Sequence, residues 1–375
     1  MKTLPETMAG AISILLLAVL MIHPAGASES REGWRPAAGS RSWSFPADHG
    51  AHPDFKTEWW YFTGNVTAAG GRELGYQLTF FRTGLATNAA TPGNPWSVRD
   101  LYLAHLAVTD VEGERFHWTE RASRAGPGLA GAREGRLDVW LRDWKAAWQG
   151  GSIALKARSG EVEIDLTLTP RKPPVLHGEE GLSIKGPGAG QASWYASITD
   201  LGTEGTIKVP GEGKTRVTGR SWFDHEFGSN QLAADQQGWD WFGLHLSDGT
   251  ELMIFQIRRT DGTLEPSSSG TFAAADGSWE HLPGSEIKIQ AAGTWKSAQS
   301  GGTYPGAWNI RIPRKGIEIT VTPLIPDQEL ATEATAGITY WEGAVRLEGR
   351  SGGKEITGGG YAELTGYAGG VGGIF

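Results

Sequence analysis

The sequence has no cysteine among its 375 residues. Disulfide staples, a lipoprotein thioether and thiol catalysis are therefore all excluded. It also lacks any block of like charge. With 42 Asp and Glu against 34 Lys and Arg, the formal net charge is −8, which argues against a nucleic-acid or anionic-membrane surface. No G-x-S-x-G elbow is present, so serine-hydrolase chemistry of that kind finds no support. No glycine-rich phosphate cradle precedes a helix, and no cofactor is expected. The longest apolar run, Ala9–Ile22, covers about 14 residues, short of the ~20 a spanning helix needs. Preceded by Lys2 and followed by the small-residue site Ala25-Gly26-Ala27, it reads as a cleavable Sec-type signal peptide over residues 1–27. The mature chain is then expected to begin near Ser28, to be periplasmic or secreted, and to keep no membrane anchor.

What is abundant is tryptophan and glycine, 17 and 55 residues respectively, a pairing suited to many short strands, tight turns and aromatic-lined concavities. The mature length exceeds what one hydrophobic core usually serves, so two domains are expected. Period-2 alternation recurs throughout and no segment sustains a helical period. Strands read at Glu58–Val66, Leu74–Phe81, Tyr102–Val111, Trp194–Thr199, Ile317–Pro323, Tyr340–Leu347 and Gly359–Tyr367. Their spacing suits antiparallel barrels or sandwiches, since an open parallel sheet would need intervening helices. The Gly/charged stretch Leu201–Lys214 is taken as the divider, giving a linker at 28–40 and domains at 41–205 and 206–375. Ser267–Gly277 and Ala368–Phe375 read as a loop and a tail.

Two hairpins are legible in more detail. A turn at Ser159-Gly160 sets Lys156 opposite Glu163 and Arg158 opposite Glu161, leaving Ile153, Leu155, Ala157, Val162, Ile164 and Leu166 on one apolar face. A turn at Asp248-Gly249 pairs Phe242 with Phe255 and Leu244 with Met253 as core. The other face then carries Trp239, Trp241 and His245 across from Gln256, Ile254 and Leu252, with Gly243 leaving room between them. Large aromatics, one glycine and a few polar groups suit a ligand cavity, and equally the interior of a capped barrel.

Reactive and aromatic side chains concentrate in two segments, Phe45-Pro-Ala-Asp-His-Gly-Ala-His-Pro-Asp-Phe-Lys-Thr-Glu-Trp-Trp-Tyr-Phe-Thr-Gly64 and Gly219-Arg-Ser-Trp-Phe-Asp-His-Glu-Phe-Gly-Ser229. Together with Gly238-Trp-Asp-Trp-Phe-Gly-Leu244 and Tyr340-Trp-Glu-Gly343, they resemble the carotenoid 1,2-hydratase-like family and its secreted lipocalin-like relatives. The resemblance covers essentially the whole mature chain. It implies two consecutive lipocalin-like antiparallel β-barrels and, in the hydratases, cofactor-free addition of water to an isolated alkene. The hydratases carry a Trp two positions after the motif histidine, and a Tyr and an Asp on the next strand. Phe227 and Met253-Ile254-Phe255-Gln256 stand there in this chain, which points to the wider family of hydrolases and hydratases rather than to a carotenoid hydratase.

Hydration of an unactivated double bond needs a general acid, an aromatic cradle for the developing carbocation and a base for water. Asp224, His225 and Glu226 are the expected proton-transfer groups, and Trp222, Trp239 and Trp241 the expected aromatic faces, with His245, Gln256, Glu58 and Trp60 as further ligand-binding residues. On a regular strand Asp224 and Glu226 face away from His225, so a full triad requires a bulge or turn; otherwise the cluster is a hydrogen-bonded plug. His225 is expected to line the pocket, with Asp224 or Glu226 fixing its tautomer and raising its pKa. Glu58, if its face is interior, becomes a candidate acid through burial. His49, His52 and Glu58 match no zinc signature, and no metal is expected. The expected partner is an apolar small molecule, either turned over or merely held by a periplasmic carrier.

Overall fold

In a computed structural model, residues 33–87 and 98–371 are described. The signal-peptide segment 1–27 lies outside them. Among the described residues helix occurs only as four three-residue 3-10 turns, and no helix is long and apolar enough to cross a membrane. The remainder is antiparallel sheet, curled into two lipocalin-like barrels. The first sheet has 13 strands and the second 10.

The centre of the first sheet explains why the two reactive segments belong together. The strand Thr57–Ala68 lies directly against Thr215–Asn230, with Trp60 opposite His225 and Tyr61 opposite Asp224. Over residues 57–64 and 221–229 these strands are almost wholly buried on both faces, so neither stretch shows a clean apolar/polar alternation. Trp60, Phe62 and Phe223 enter the core of the first barrel with Leu78, Phe80 and Leu106. Tyr61 and Trp222, on the opposite face, join Tyr195, Trp241, Met253, Phe255 and Tyr361 in a seam between the sheets. Burying each of these aromatic rings stabilises the seam by roughly 1.5–3 kcal/mol. Two glycines allow the close approach. A Cβ at Gly75 would lie 2.6 Å from the Tyr361 hydroxyl, and one at Gly243 would lie 2.4 Å from the Trp241 ring.

The register differs from expectation at both hairpins. The first turn is Gly160-Glu161, with Gly160 at φ 57° in its first central position. Arg158 therefore faces Glu163 and Lys156 faces Asp165. This slides the pairing by an even step, so the apolar face survives: Ile153, Leu155, Ala157, Ile164 and Leu166 are buried. At the second hairpin the connection is three residues, Ser247-Asp248-Gly249, closed by Leu246 N–H to the Thr250 carbonyl, with Gly249 at φ 83°. Phe242 then pairs with Ile254, Leu244 with Leu252, and Trp241 with Phe255. The odd step turns Gln256 away from the tryptophan face, where it opposes Asp240. Ser267–Gly277 is not merely a loop, because Ser269–Ala273 pairs with Glu251–Arg259 as a strand. Leu201–Lys214 lies within the first sheet, spanning the connection from Ala192–Lys208 to Thr215–Asn230. The chain passes to the second sheet between Asn230 and Gln236.

Candidate functional site

Strand alternation separates the Asp224-His225-Glu226 run into two environments. His225 points into the first barrel. Its Nε2 lies 2.9 Å from Glu58 Oε1 and its Nδ1 3.0 Å from the Asp48 carbonyl, with the Trp60 ring stacked at 5.1 Å. Its carboxylate partner is thus Glu58, not Asp224 or Glu226. Glu58 Oε1 also receives His52 Nδ1 at 2.9 Å, and Arg82 Nε lies 3.1 Å from Oε2. Arg82 further donates to the His52 and Phe55 carbonyls, pinning the loop that closes this barrel end. Burial pulls the His225 pKa down, and the Glu58 hydrogen bond offsets this only in part, contrary to the expected rise. Burial alone would raise the Glu58 carboxyl, but hydrogen bonds from His225 and His52 and the Arg82 charge hold it well below the usual range. Glu58 is therefore a fixed anion and not an acid. His49 is neutral: burial pushes it down to about 3 between Phe45 and Phe223.

His52, Glu58 and His225 offer ligand atoms within 4.8 Å of one another, close enough for a metal ion. Two guanidinium groups already provide the positive charge there, Arg82 at Glu58 and Arg41, whose Nη2 lies 2.8 Å from His52 Nε2. The cluster reads as a hydrogen-bonded plug.

Asp224 and Glu226 face the other way, into a cavity of about 320 Å³ between the two sheets. Trp59, Trp239, Trp241, Phe255 and Ile257 give it apolar walls, and Glu58 and Arg82 lie at its edge. Of the expected ligand-binding residues, Trp239, Trp241 and Glu58 line this space; Trp222, Trp60, His245, His225 and Gln256 do not. Trp222 instead donates through Nε1 to Asp224 Oδ1 at 2.5 Å. His245 Nε2–H donates to the Thr199 carbonyl at 2.7 Å, and burial brings its pKa down to about 4.

Asp224 accepts hydrogen bonds from Trp222, from Ser197 and from the Tyr195 hydroxyl at 2.6 Å, while Trp241 Nε1 donates to Tyr195 at 3.0 Å. Burial nevertheless pushes its carboxyl up to about 7, the hydrogen bonds offsetting only part of the rise. Glu226 is held by Ser193 and by Lys185, whose Nζ is 3.1 Å away and lies 4.2 Å from the Phe255 ring centroid.

Four buried titratable residues in or beside the seam escaped sequence reasoning. Glu342 and Glu363 stand opposite each other on adjacent strands and both line the cavity. Burial and mutual repulsion raise Glu342 well above its ordinary value, and burial brings Glu363 up to about 7. The Tyr61 hydroxyl and Glu342 Oε1 have no partner in hydrogen-bond geometry among the described residues. The other two, His105 and His177, bridge the sheets. Thr335 donates to Glu120, so it accepts His105 Nε2–H at 3.0 Å, and His105 Nδ1 accepts the Tyr340 hydroxyl at 2.7 Å. Ser197 donates to Asp224, so it accepts His177 Nε2–H at 2.6 Å, and His177 Nδ1 accepts the Thr271 hydroxyl at 2.8 Å. A Glu alternating with aromatics in Tyr340-Trp-Glu-Gly343 was the available signal for Glu342.

Two lipocalin-like barrels enclosing a carboxyl-rich, aromatic cavity at their seam define the class of protein. The AttH-like family profile matches residues 36–367, and the chain belongs to that family. A crystal structure of an AttH protein from Nitrosomonas europaea is 37% identical, covers 89% of this chain and 99% of its own, and superposes with a TM-score of 0.79. Kievitone hydratase from Nectria haematococca shares 20% identity over 89% of this chain and 98% of its own, with a TM-score of 0.63, a likeness of fold. CghA, 12% identical over 84% of this chain and 89% of its own, has a TM-score of 0.52. No curated protein matches the chain.

Proposed function

We propose that this AttH-like protein is exported and acts on an apolar small molecule in the inter-sheet cavity by cofactor-independent acid–base chemistry, adding or removing water. The observation that carries the reading is a neutral carboxyl, Glu342, with the Tyr61 hydroxyl beside it, sharing an aromatic-walled cavity with Asp224, which is poised near neutrality. Glu342 gives its proton to an alkene carbon, the π pair forming the new C–H bond, and the Trp faces accommodate the cation. Water attacks the cationic carbon and passes its proton to the Asp224 carboxylate, giving the alcohol. A proton then returns from Asp224 to Glu342, restoring both groups. The fold shared with a kievitone hydratase supports this reading, and export rests on the N-terminal sequence.

The test is incubation of the mature protein in ¹⁸O-water with a panel of apolar alkenes and the matching tertiary alcohols. With the wild type, alkenes are expected to give alcohols carrying one ¹⁸O and tertiary alcohols to lose water to the alkene, and neither conversion is expected from Glu342→Gln or Asp224→Asn variants that still fold. Ligands that bind and return unchanged from every member of the panel would instead identify a carrier.

A further inference from the structure

We propose that the inter-sheet cavity is selective for positively charged ligands, taking an organic ammonium ion with an apolar body in preference to the isosteric alcohol and rejecting the isosteric carboxylate. This rests on reading the cavity as the ligand site but not on turnover. Five carboxyl groups line it, Glu58 at its edge with Asp224, Glu226, Glu342 and Glu363, against one lining lysine, Lys185, already paired with Glu226. The other lining cation, Arg82, is committed to Glu58 and Asp100. The remaining polar groups on the walls are the hydroxyls of three tyrosines and four threonines, the Gln231 amide and the neutral His105, none of which adds positive charge. Trp59, Trp239 and Trp241 supply ring faces of the kind that attract cations. The second and independent sign of a ligand is a pair of buried polar atoms whose hydrogen bonding is incomplete. Glu342 and Tyr61 are 2% and 6% exposed; the two side chains interact with each other, but neither Glu342 Oε1 nor the Tyr61 hydroxyl completes a hydrogen bond of good geometry among the described residues. An ammonium group supplies donors that a carboxylate oxygen and a phenol oxygen can both accept.

Charge selectivity carries a thermodynamic signature. Because burial holds Asp224 and Glu363 near 7 and Glu342 higher, the cavity contains protons that a cation displaces on entry. A primary amine keeps its own charge throughout, its pKa being about 10. The experiment is calorimetric titration of the full mature chain with 4-phenylbutylamine, 4-phenylbutanol and 4-phenylbutyrate, in buffers of different ionisation enthalpy, at about pH 5.5, 7 and 8.5. The amine is expected to bind at least about tenfold more tightly than the alcohol at the highest pH, to lose affinity as pH falls, and to release protons at neutral pH. The carboxylate is expected to be weakest, and Glu342→Gln to reduce the release. Equal affinity for the three probes, preference for the carboxylate, amine binding without proton release, or no binding by any probe overturns the proposal. Failure here leaves ¹⁸O incorporation untouched, and a protein that binds the amine but labels no product loses only the hydration reading.

Discussion

His225 Nε2 and Glu58 Oε1 lie 2.9 Å apart, joining the two central strands of the first sheet on the face opposite to Asp224 and Glu226. Both side chains are fully buried, and the loop carrying Asp48 and His52 closes over them. This pair closes one barrel end; Glu58 reaches the edge of the ligand space, whereas His225 does not line it. Replacing His225 with Gln removes one of the donors on Glu58 and is expected to cost about 2 kcal/mol. The melting temperature should fall by roughly 4–8 °C, with ligand affinity in the folded fraction unchanged. An unchanged melting temperature with lost turnover would return His225 to the chemistry.

Asp224 makes stability depend on pH in a defined direction. Its folded pKa is about 7 and the ordinary value 3.8, so the folded state binds the extra proton between those limits. The stabilisation is complete below about pH 4 and is lost as pH rises through 7. Five buried histidines, His49, His105, His177, His225 and His245, have lowered values and oppose this in the wild type, since they lose stability on acidification. Those contributions cancel in a comparison of wild type with Asp224→Asn. The variant should gain on the wild type by up to about 4 kcal/mol between pH 4 and 8. Urea unfolding across that range measures it, and a constant difference would mean Asp224 is ionised throughout.

Export predicts a mature N-terminus at Ser28 or within a few residues, because the Ala25-Gly26-Ala27 site follows the apolar run. Edman or mass-spectrometric sequencing of protein released from the periplasm reads this directly. Recovery with Met1 intact would refute cleavage.

The all-β architecture was legible because strand alternation and Gly-bounded turns recur along the whole chain, and the opposed orientations of Asp224/Glu226 and His225 follow from the two-residue period. The alternation did not say which face was lined by ligand space. Both faces of residues 57–64 and 221–229 are almost wholly buried, so hydrophobicity could not distinguish barrel interior from inter-sheet seam. The Asp-Gly signal at 248–249 was genuine, but it serves a three-residue connection as readily as a two-residue one, and that single residue decides whether Gln256 or Phe255 stands across from Trp241. Glu342 and Glu363 are brought to Asp224 only by packing of the second sheet on the first, a contact more than a hundred residues apart in sequence that no local pattern encodes.

The same long-range packing makes His105 a strut across the cavity wall. It joins the first sheet to Tyr340 at 2.7 Å and to Thr335 at 3.0 Å, in the turn before the strand Ile338–Ser351, and Thr335 in turn reaches Glu120. Burial brings the His105 pKa down to about 3, so the neutral Nε2–H tautomer assigned by these partners should persist in ¹⁵N spectra to about pH 4. His105→Phe keeps an aromatic ring beside Phe81 but removes the acceptor of the Tyr340 hydroxyl, leaving it only Gln77, and takes one of two side-chain partners from Thr335. The expected cost is about 1–3 kcal/mol, concentrated in the turn. Amide exchange over residues 333–337 should quicken by at least about tenfold, while exchange in the first-barrel core stays as it was. Uniform acceleration across both barrels would show that His105 supports the whole seam, and no acceleration at the turn would show that Thr335 is held without it.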